Sequence, residues 1–217
     1  MGSITRSFAN NITTSGVLLP ASLTNNSIAN VTAYNAAIAI GSMKLISTQT
    51  ASNSASISFT TGIDSTYKEY QFYFIDIHPR TDGANFQFNL STDSGSNYNV
   101  TKTSAFFNTY HAEADNNNAL QYEGGSDLAQ STGYQHLARD LGNGADESTS
   151  GSLLIFNPSS TTYVKHFISN FNNYHQSNLS EEDFGAGYGN TTSAVNAINF
   201  NMSSGNFDGT ILMYGIV

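Results

Sequence analysis

The sequence predicts an all-β chain: an antiparallel β-sandwich, jelly-roll-like, behind an extended N-terminal arm. Two observations carry this expectation. Apolar side chains recur with a period of two along several segments, and clusters of Gly, Asn, Asp and Ser separate those segments. No stretch offers a comparable helical period. Pro occurs only at 20, 79 and 158, which leaves the intervening backbone amides free to pair.

Residues 1–42 read as the arm. They mix small polar residues with scattered aliphatics, including Val17-Leu18-Leu19-Pro20, without a strong amphipathic period. Residues 43–217 read as the sandwich. Tyr70, Phe72 and Phe74 share one strand face, and Phe86, Phe88 and Leu90 share another. The alternation returns at Leu153 and Ile155, Phe167 and Phe171, Ile198, Phe200 and Met202, and Ile211 and Met213. The segments from Asn116 to Gly125 and from Asp140 to Gly151 are polar and Gly-rich and read as exposed loops. Asp76 to Gly83 reads as a hairpin loop, with Asp76 and Asp82 as candidate calcium ligands.

Composition narrows the function. The chain of 217 residues is long enough for one core without metal or disulfide staples, and no cofactor is expected. It has no Cys, which removes disulfides, thiolate metal sites and cysteine nucleophiles. Seven Lys and Arg against sixteen Asp and Glu give a net charge of −9, too few cations to track a phosphate backbone, so no nucleic-acid partner is expected. No apolar run is long enough for a membrane helix, and the N-terminus lacks a signal-peptide core, so membrane insertion is not expected either.

Few residues suggest chemistry. His111 lies near Glu113 and Asp115 and reads as a polar cluster at a loop end. Glu181-Glu182-Asp183, followed by an aromatic-glycine segment through Gly189, reads as a solvated loop. Sequence alone pairs neither Glu181 nor Glu182 with Glu113 or Glu123 as a glycosidase would require, so no enzyme is expected. Tyr110, Tyr122, Tyr134, Tyr174 and Tyr188 fall at or near expected loops. Of these, Tyr110, Tyr122, Tyr134 and Tyr188, with His111, are the candidate surface contacts.

Ser91-Thr92-Asp93-Ser94-Gly95-Ser96-Asn97-Tyr98 resembles an Asp-box hairpin, with Tyr98 where Trp is usual. The resemblance implies structural work: the Asp93 carboxylate accepts backbone N–H bonds, Gly95 supplies an unusual φ, and Tyr98 packs on the sheet. Three longer stretches together resemble virion structural proteins of tailed bacteriophages. They are Ile4 to Ile12 with Asn25 to Thr32, Leu45 to Ile77 with the Asp-box, and the terminal Phe207-Asp208-Gly209-Thr210-Ile211-Leu212-Met213-Tyr214-Gly215-Ile216. That resemblance implies a non-enzymatic fibre or tail appendage located in the virion, homo-oligomeric and often trimeric. Its arm would anchor to other virion proteins and its sandwich would face a host-surface glycan or protein. A capsid decoration protein, a glycan-binding module and a polysaccharide hydrolase are the alternatives.

Overall fold

The computed structural model describes residues 42–217. The expected arm, apart from Ser42, lies outside the described residues. Twelve strands follow: β1 (Met43–Ser54), β2 (Ser56–Phe59), β3 (Glu69–Pro79), β4 (Ala84–Ser91), β5 (Lys102–Ala112), β6 (Asn118–Tyr122), β7 (Gln135–Leu141), β8 (Thr149–Phe156), β9 (Lys165–His175), β10 (Leu179–Gly189), β11 (Ala197–Met202) and β12 (Phe207–Ile216). Every pairing among them is antiparallel.

The strands fall into two layers. The larger runs β6-β5-β10-β9-β8-β3-β12-β1 and the smaller β7-β4-β11-β2. One residue pair, Leu141 with His175, joins them through β7 and β9. At that joint the sheet turns back over itself, so that Phe72 of one layer meets Phe200 of the other at a ring separation of 5.5 Å.

The strand order makes a jelly roll. In the larger layer β12 lies between β1 and β3, with β8 beyond β3. In the smaller, β11 lies between β2 and β4, with β7 beyond β4. The sequence neighbours β1–β2, β3–β4, β7–β8 and β11–β12 are each split across the layers, which nests eight strands as two Greek keys. The other four strands are insertions. β5 and β6 enter between β4 and β7, β9 and β10 enter between β8 and β11, and together they widen the larger layer beyond β8.

The period-two pattern explains the core. Tyr70, Phe72 and Phe74 point inward while Tyr73 and Ile75 point out, and Phe86, Phe88 and Leu90 face them from the smaller layer. Phe74 touches Phe86, Phe171 and Phe200 at ring separations of 5.4, 5.1 and 5.0 Å. Such tilted and edge-on contacts suit the aromatic quadrupole and add to the burial term.

Four local expectations are corrected. Asp76 to Gly83 is no hairpin loop: β3 pairs with β8 and β12, β4 pairs with β7 and β11, and the segment carries the chain between layers. The Asp-box likewise joins strands that do not pair, since β5 bonds to β6 and β10. The Asn116–Gly125 segment contains the edge strand β6, whose polar residues are tolerated because its outer edge faces solvent. Glu181 to Gly189 is a central strand rather than a solvated loop, paired along its length with β5 and β9.

Candidate functional site

β10 reverses the usual alternation. Glu181, Asp183, Gly185 and Gly189 are buried, while Phe184 and Tyr188 stand half-exposed on the outer face. Room is the reason for the glycines, because a Cβ on Gly187 would come within 2.5 Å of the Thr103 carbonyl oxygen and 2.8 Å of the Phe167 ring. The neighbouring strands add polar residues to the same inner face, beside the buried Phe106, Phe167 and Phe171. Lys102 and Asn108 of β5 and Lys165, Ser169 and Asn173 of β9 are all buried.

A cavity of about 710 Å³ opens at the end of this polar interior. Its walls include Tyr110, Glu113, Arg139, Asp140, His175 and Glu181. Arg139 is bonded to two carboxylates, with Nη1 2.7 Å from Glu123, which lies outside the cavity lining, and Nη2 3.0 Å from Asp140 on its wall. His175 Nε2 lies 3.9 Å from Asp140. Behind them are Glu181 and Asp183, which neither Arg139 nor His175 reaches with an ion pair.

Asp183 is held by its Oδ2 atom, which accepts from the Arg139 backbone N–H and from Asn173 Nδ2, both at 2.9 Å. Its Oδ1 has no partner among the described residues, nor do Glu181 Oε1 and Asn108 Oδ1. Register brings these atoms together, since Asn108 is the direct cross-strand partner of Asp183 and Glu181 lies two residues along the same face. Burial, reinforced by the Glu181 charge, pushes the Asp183 carboxyl up to about 8, and burial also raises Glu181. The Lys102 ammonium is pushed down to about 7 by burial, while donating 2.5 Å to Asn89 Oδ1 and 2.8 Å to the Val100 carbonyl.

The residues singled out from sequence do not converge. Tyr110 lines the cavity from β5. His111, its neighbour, points to the opposite face and sits 3.2 Å from exposed Asp115. Tyr122 ends β6, exposed, and donates to Asp127 at 2.6 Å. Tyr134 precedes β7 and donates to Asn199 at 3.0 Å. Tyr188 lies opposite Thr103, at the far end of β10 from the cavity, edge-on to His166. Asp76 and Asp82 make separate bonds: the Asp76 backbone N–H donates to the Ser150 hydroxyl, and the Asp82 carboxylate accepts from the Asn143 N–H. Among the described residues no trio of His, Asp and Glu converges as a metal site.

The Asp-box residues act as a fixed turn. The Ser91 hydroxyl donates to Asp93 Oδ1 at 2.7 Å and accepts from the Gly95 N–H, and Asp93 accepts from the Asn97 N–H and Nδ2. Those bonds, that from Ser91 foremost, lower the Asp93 carboxyl to about 2. Gly95 has φ +87°, and a Cβ there would sit 2.7 Å from the Tyr98 hydroxyl.

The outer face of the larger layer is the second candidate surface. Leu120 of β6, Phe107 of β5, Ile168 of β9 and Tyr73 of β3 are all more than one-third exposed. Register links them across the layer. Phe107 pairs with Tyr122 and Phe184, Ile168 with Ala186 and Leu154, and Leu154 with Gln71 beside Tyr73. The Phe107 and Phe184 rings stack at 4.9 Å. Sequence reasoning reached one residue of each surface, Tyr110 in the cavity and Tyr122 opposite Phe107, and missed the rest because it took the Gly and acidic residues of β10 for loop signals when their period of two was the informative feature.

No family model matches the chain, and no curated protein or solved structure is detectably similar to it.

Proposed function

We propose that the chain is a non-enzymatic structural component of a tailed-phage particle, a fibre or tail-associated appendage that takes part in host attachment. The observation that carries this reading is the set of exposed apolar residues on the outer face of the larger layer, Leu120, Phe107, Ile168 and Tyr73. Scattered surface apolar residues need no explanation, but Leu120, Tyr122, Phe107, Phe184, Ile168 and Tyr73 share one face, broken in register by Thr109, Asn170 and Ser152, and a patch of that kind supports a contact surface. A second copy of the chain is the occupant this reading assigns, in a closed and preferably trimeric assembly. The jelly roll supplies a rigid body for such a surface, and the tailed-phage resemblance of the terminal strand and the Asp-box region supports the context.

The test is the mass of the full chain in solution by light scattering. The reading expects a closed oligomer that Ile168→Asp converts to folded monomer, because an isolated carboxylate in an apolar interface is costly to desolvate. A wild-type monomer at all accessible concentrations would count against it.

A second reading has its own observation. The cavity beside Tyr110 combines amide, carboxylate and guanidinium groups, with Asn116 and Gln121 also on its wall, and that mixture suits a polyhydroxyl ligand. Glycan-array binding that is lost in Tyr110→Ala and retained in Tyr188→Ala would favour a glycan-binding module.

A further inference from the structure

Five carboxylates gather at or behind the cavity, Glu113, Asp140 and Glu181 on its wall and Glu123 and Asp183 beside them, and one guanidinium is committed to two of them. Arg139 bonds Glu123 and Asp140. Glu181 and Asp183 lie behind, 3% and 0% exposed, with no cation among the described residues bonded to either. A buried charge without a partner is strongly unfavourable, so the pair requires a neutralising species.

The unpaired atoms say what kind. Asn108 Oδ1, Glu181 Oε1 and Asp183 Oδ1 are all oxygen acceptors, all buried, and all without a donor among the described residues. Glu181 also forms part of the cavity wall, so the cluster has a route to solvent. One proton on Asp183, with a half-turn of the Asn108 amide, would satisfy the hydrogen bonds. It would still leave the buried Glu181 charge with only the longer-range attraction of Arg139 and His175, whereas a divalent cation matches both carboxylates directly.

We propose that the floor of this cavity is a binding site for a hard divalent cation of the calcium class, held by the Asn108 amide oxygen and the Glu181 and Asp183 carboxylates. Calcium takes carboxylate and amide oxygens in flexible geometry and completes its shell with water, which the cavity side admits. Magnesium demands a stricter octahedron and parts with its water reluctantly, so the site favours calcium. Two carboxylates and one amide are the whole protein contribution, in keeping with the absence of any His, Asp and Glu trio among the described residues. Neither the assembly reading nor the glycan reading depends on this site.

The experiment compares the thermal unfolding of the full chain in calcium chloride, magnesium chloride and a chelator, at pH 8, with calcium binding followed by calorimetry. Calcium well above its dissociation constant should raise the midpoint by about 5–10 °C relative to chelator. Magnesium should do much less. Asp183→Asn keeps an oxygen for the Arg139 N–H and Asn173 and turns its new amide toward Glu181, so it should fold, melt above the wild type in chelator, and show no calcium response. Glu181→Gln should also lose the response. A wild type indifferent to calcium overturns the proposal and leaves the proton as the neutralising species. An undiminished calcium response in Asp183→Asn overturns it too, by placing the ion elsewhere.

Discussion

The jelly-roll core and the interior beneath the four inserted strands are made by the same antiparallel pairing and filled in opposite ways. Between the eight core strands lie Phe59, Phe72, Phe74, Phe86, Phe88, Phe200 and their aliphatic neighbours. Beneath β5, β9 and β10 the buried positions include Lys102, Asn108, Lys165, Ser169, Asn173, Glu181 and Asp183. The first interior is held by area and close packing, which are indifferent to pH. The second is held by directed bonds and carries buried ionisable groups, so its contribution varies with protonation and with any bound ion. A fold stabilised by the first can accommodate the second, and the added strands are where the chain departs from a purely structural interior.

The largest expected effect lies in the aromatic core. Phe74→Ala removes a ring that contacts three others, from a position 2% exposed, and should cost about 3–5 kcal/mol in a denaturant melt. A loss below about 1 kcal/mol would mean that the core collapses onto the cavity, and the contrast between the two interiors would weaken.

The next effect tests the polar interior by pH, with chelator present. Asp183 has a folded-state value near 8 against an ordinary value of 3.8, so the folded chain holds the extra proton between those values. Stability therefore falls as pH rises from 3.8 to about 8 and then levels. Lys102 acts with the opposite sign. Its folded value near 7 lies below the ordinary 10.5, so the unfolded chain holds the extra proton and stability rises with pH across that window. Asp183→Asn should shrink the falling limb, leaving the part that belongs to the raised Glu181, and gain on the order of 2 kcal/mol at pH 8, while Lys102→Met should shrink the rising limb, to which Lys165, also lowered by burial, contributes with the same sign. A wild-type stability that is flat in pH would show that these groups are hydrated in solution.

How legible each interior was in the sequence follows from the same contrast. Tyr70-x-Phe72-x-Phe74 and Phe86-x-Phe88-x-Leu90 announce an inward face because burial and hydrophobicity coincide there, and the sandwich and its jelly-roll order follow the expectation. Glu181-x-Asp183-x-Gly185 has the same period, but the residues turned inward are the ones that ordinarily face water, and the pattern reads as loop. Pairing partners were less legible still. Nothing local to Asp76–Gly83 or to the Asp-box distinguishes a hairpin from a crossing between layers, since turn chemistry fixes the bend and long-range register fixes the neighbour. The Asp93 bonds and the positive φ of Gly95, by contrast, are local, and the sequence specified both. Of the candidate contact residues only Tyr110 reaches the cavity; Arg139 on its wall and Asn108 and Asn173 around Asp183 are brought together by register across distant strands, which no spacing in the sequence reveals.

The smallest effect isolates a neutral bond of the polar interior. The Ser104 hydroxyl donates to Gln135 Oε1 at 2.5 Å and accepts from the Leu128 N–H at 2.9 Å, tying β5 to the segment that covers it. Gln135 is fully buried and its Nε2 donates to the Ser126 carbonyl at 2.9 Å, so the amide cannot turn to find another partner without losing that bond. Ser104→Ala leaves one acceptor and one donor unmatched and should cost about 1–2 kcal/mol, independent of pH between 5 and 9. The same substitution made in the Asp183→Asn chain should cost the same, because the serine's partners are Gln135 and Leu128 and not the carboxyl cluster. A double-mutant cost that departs from additivity would show that the cluster and the covering segment move together, and the polar interior would then behave as one cooperative network rather than a set of separate bonds.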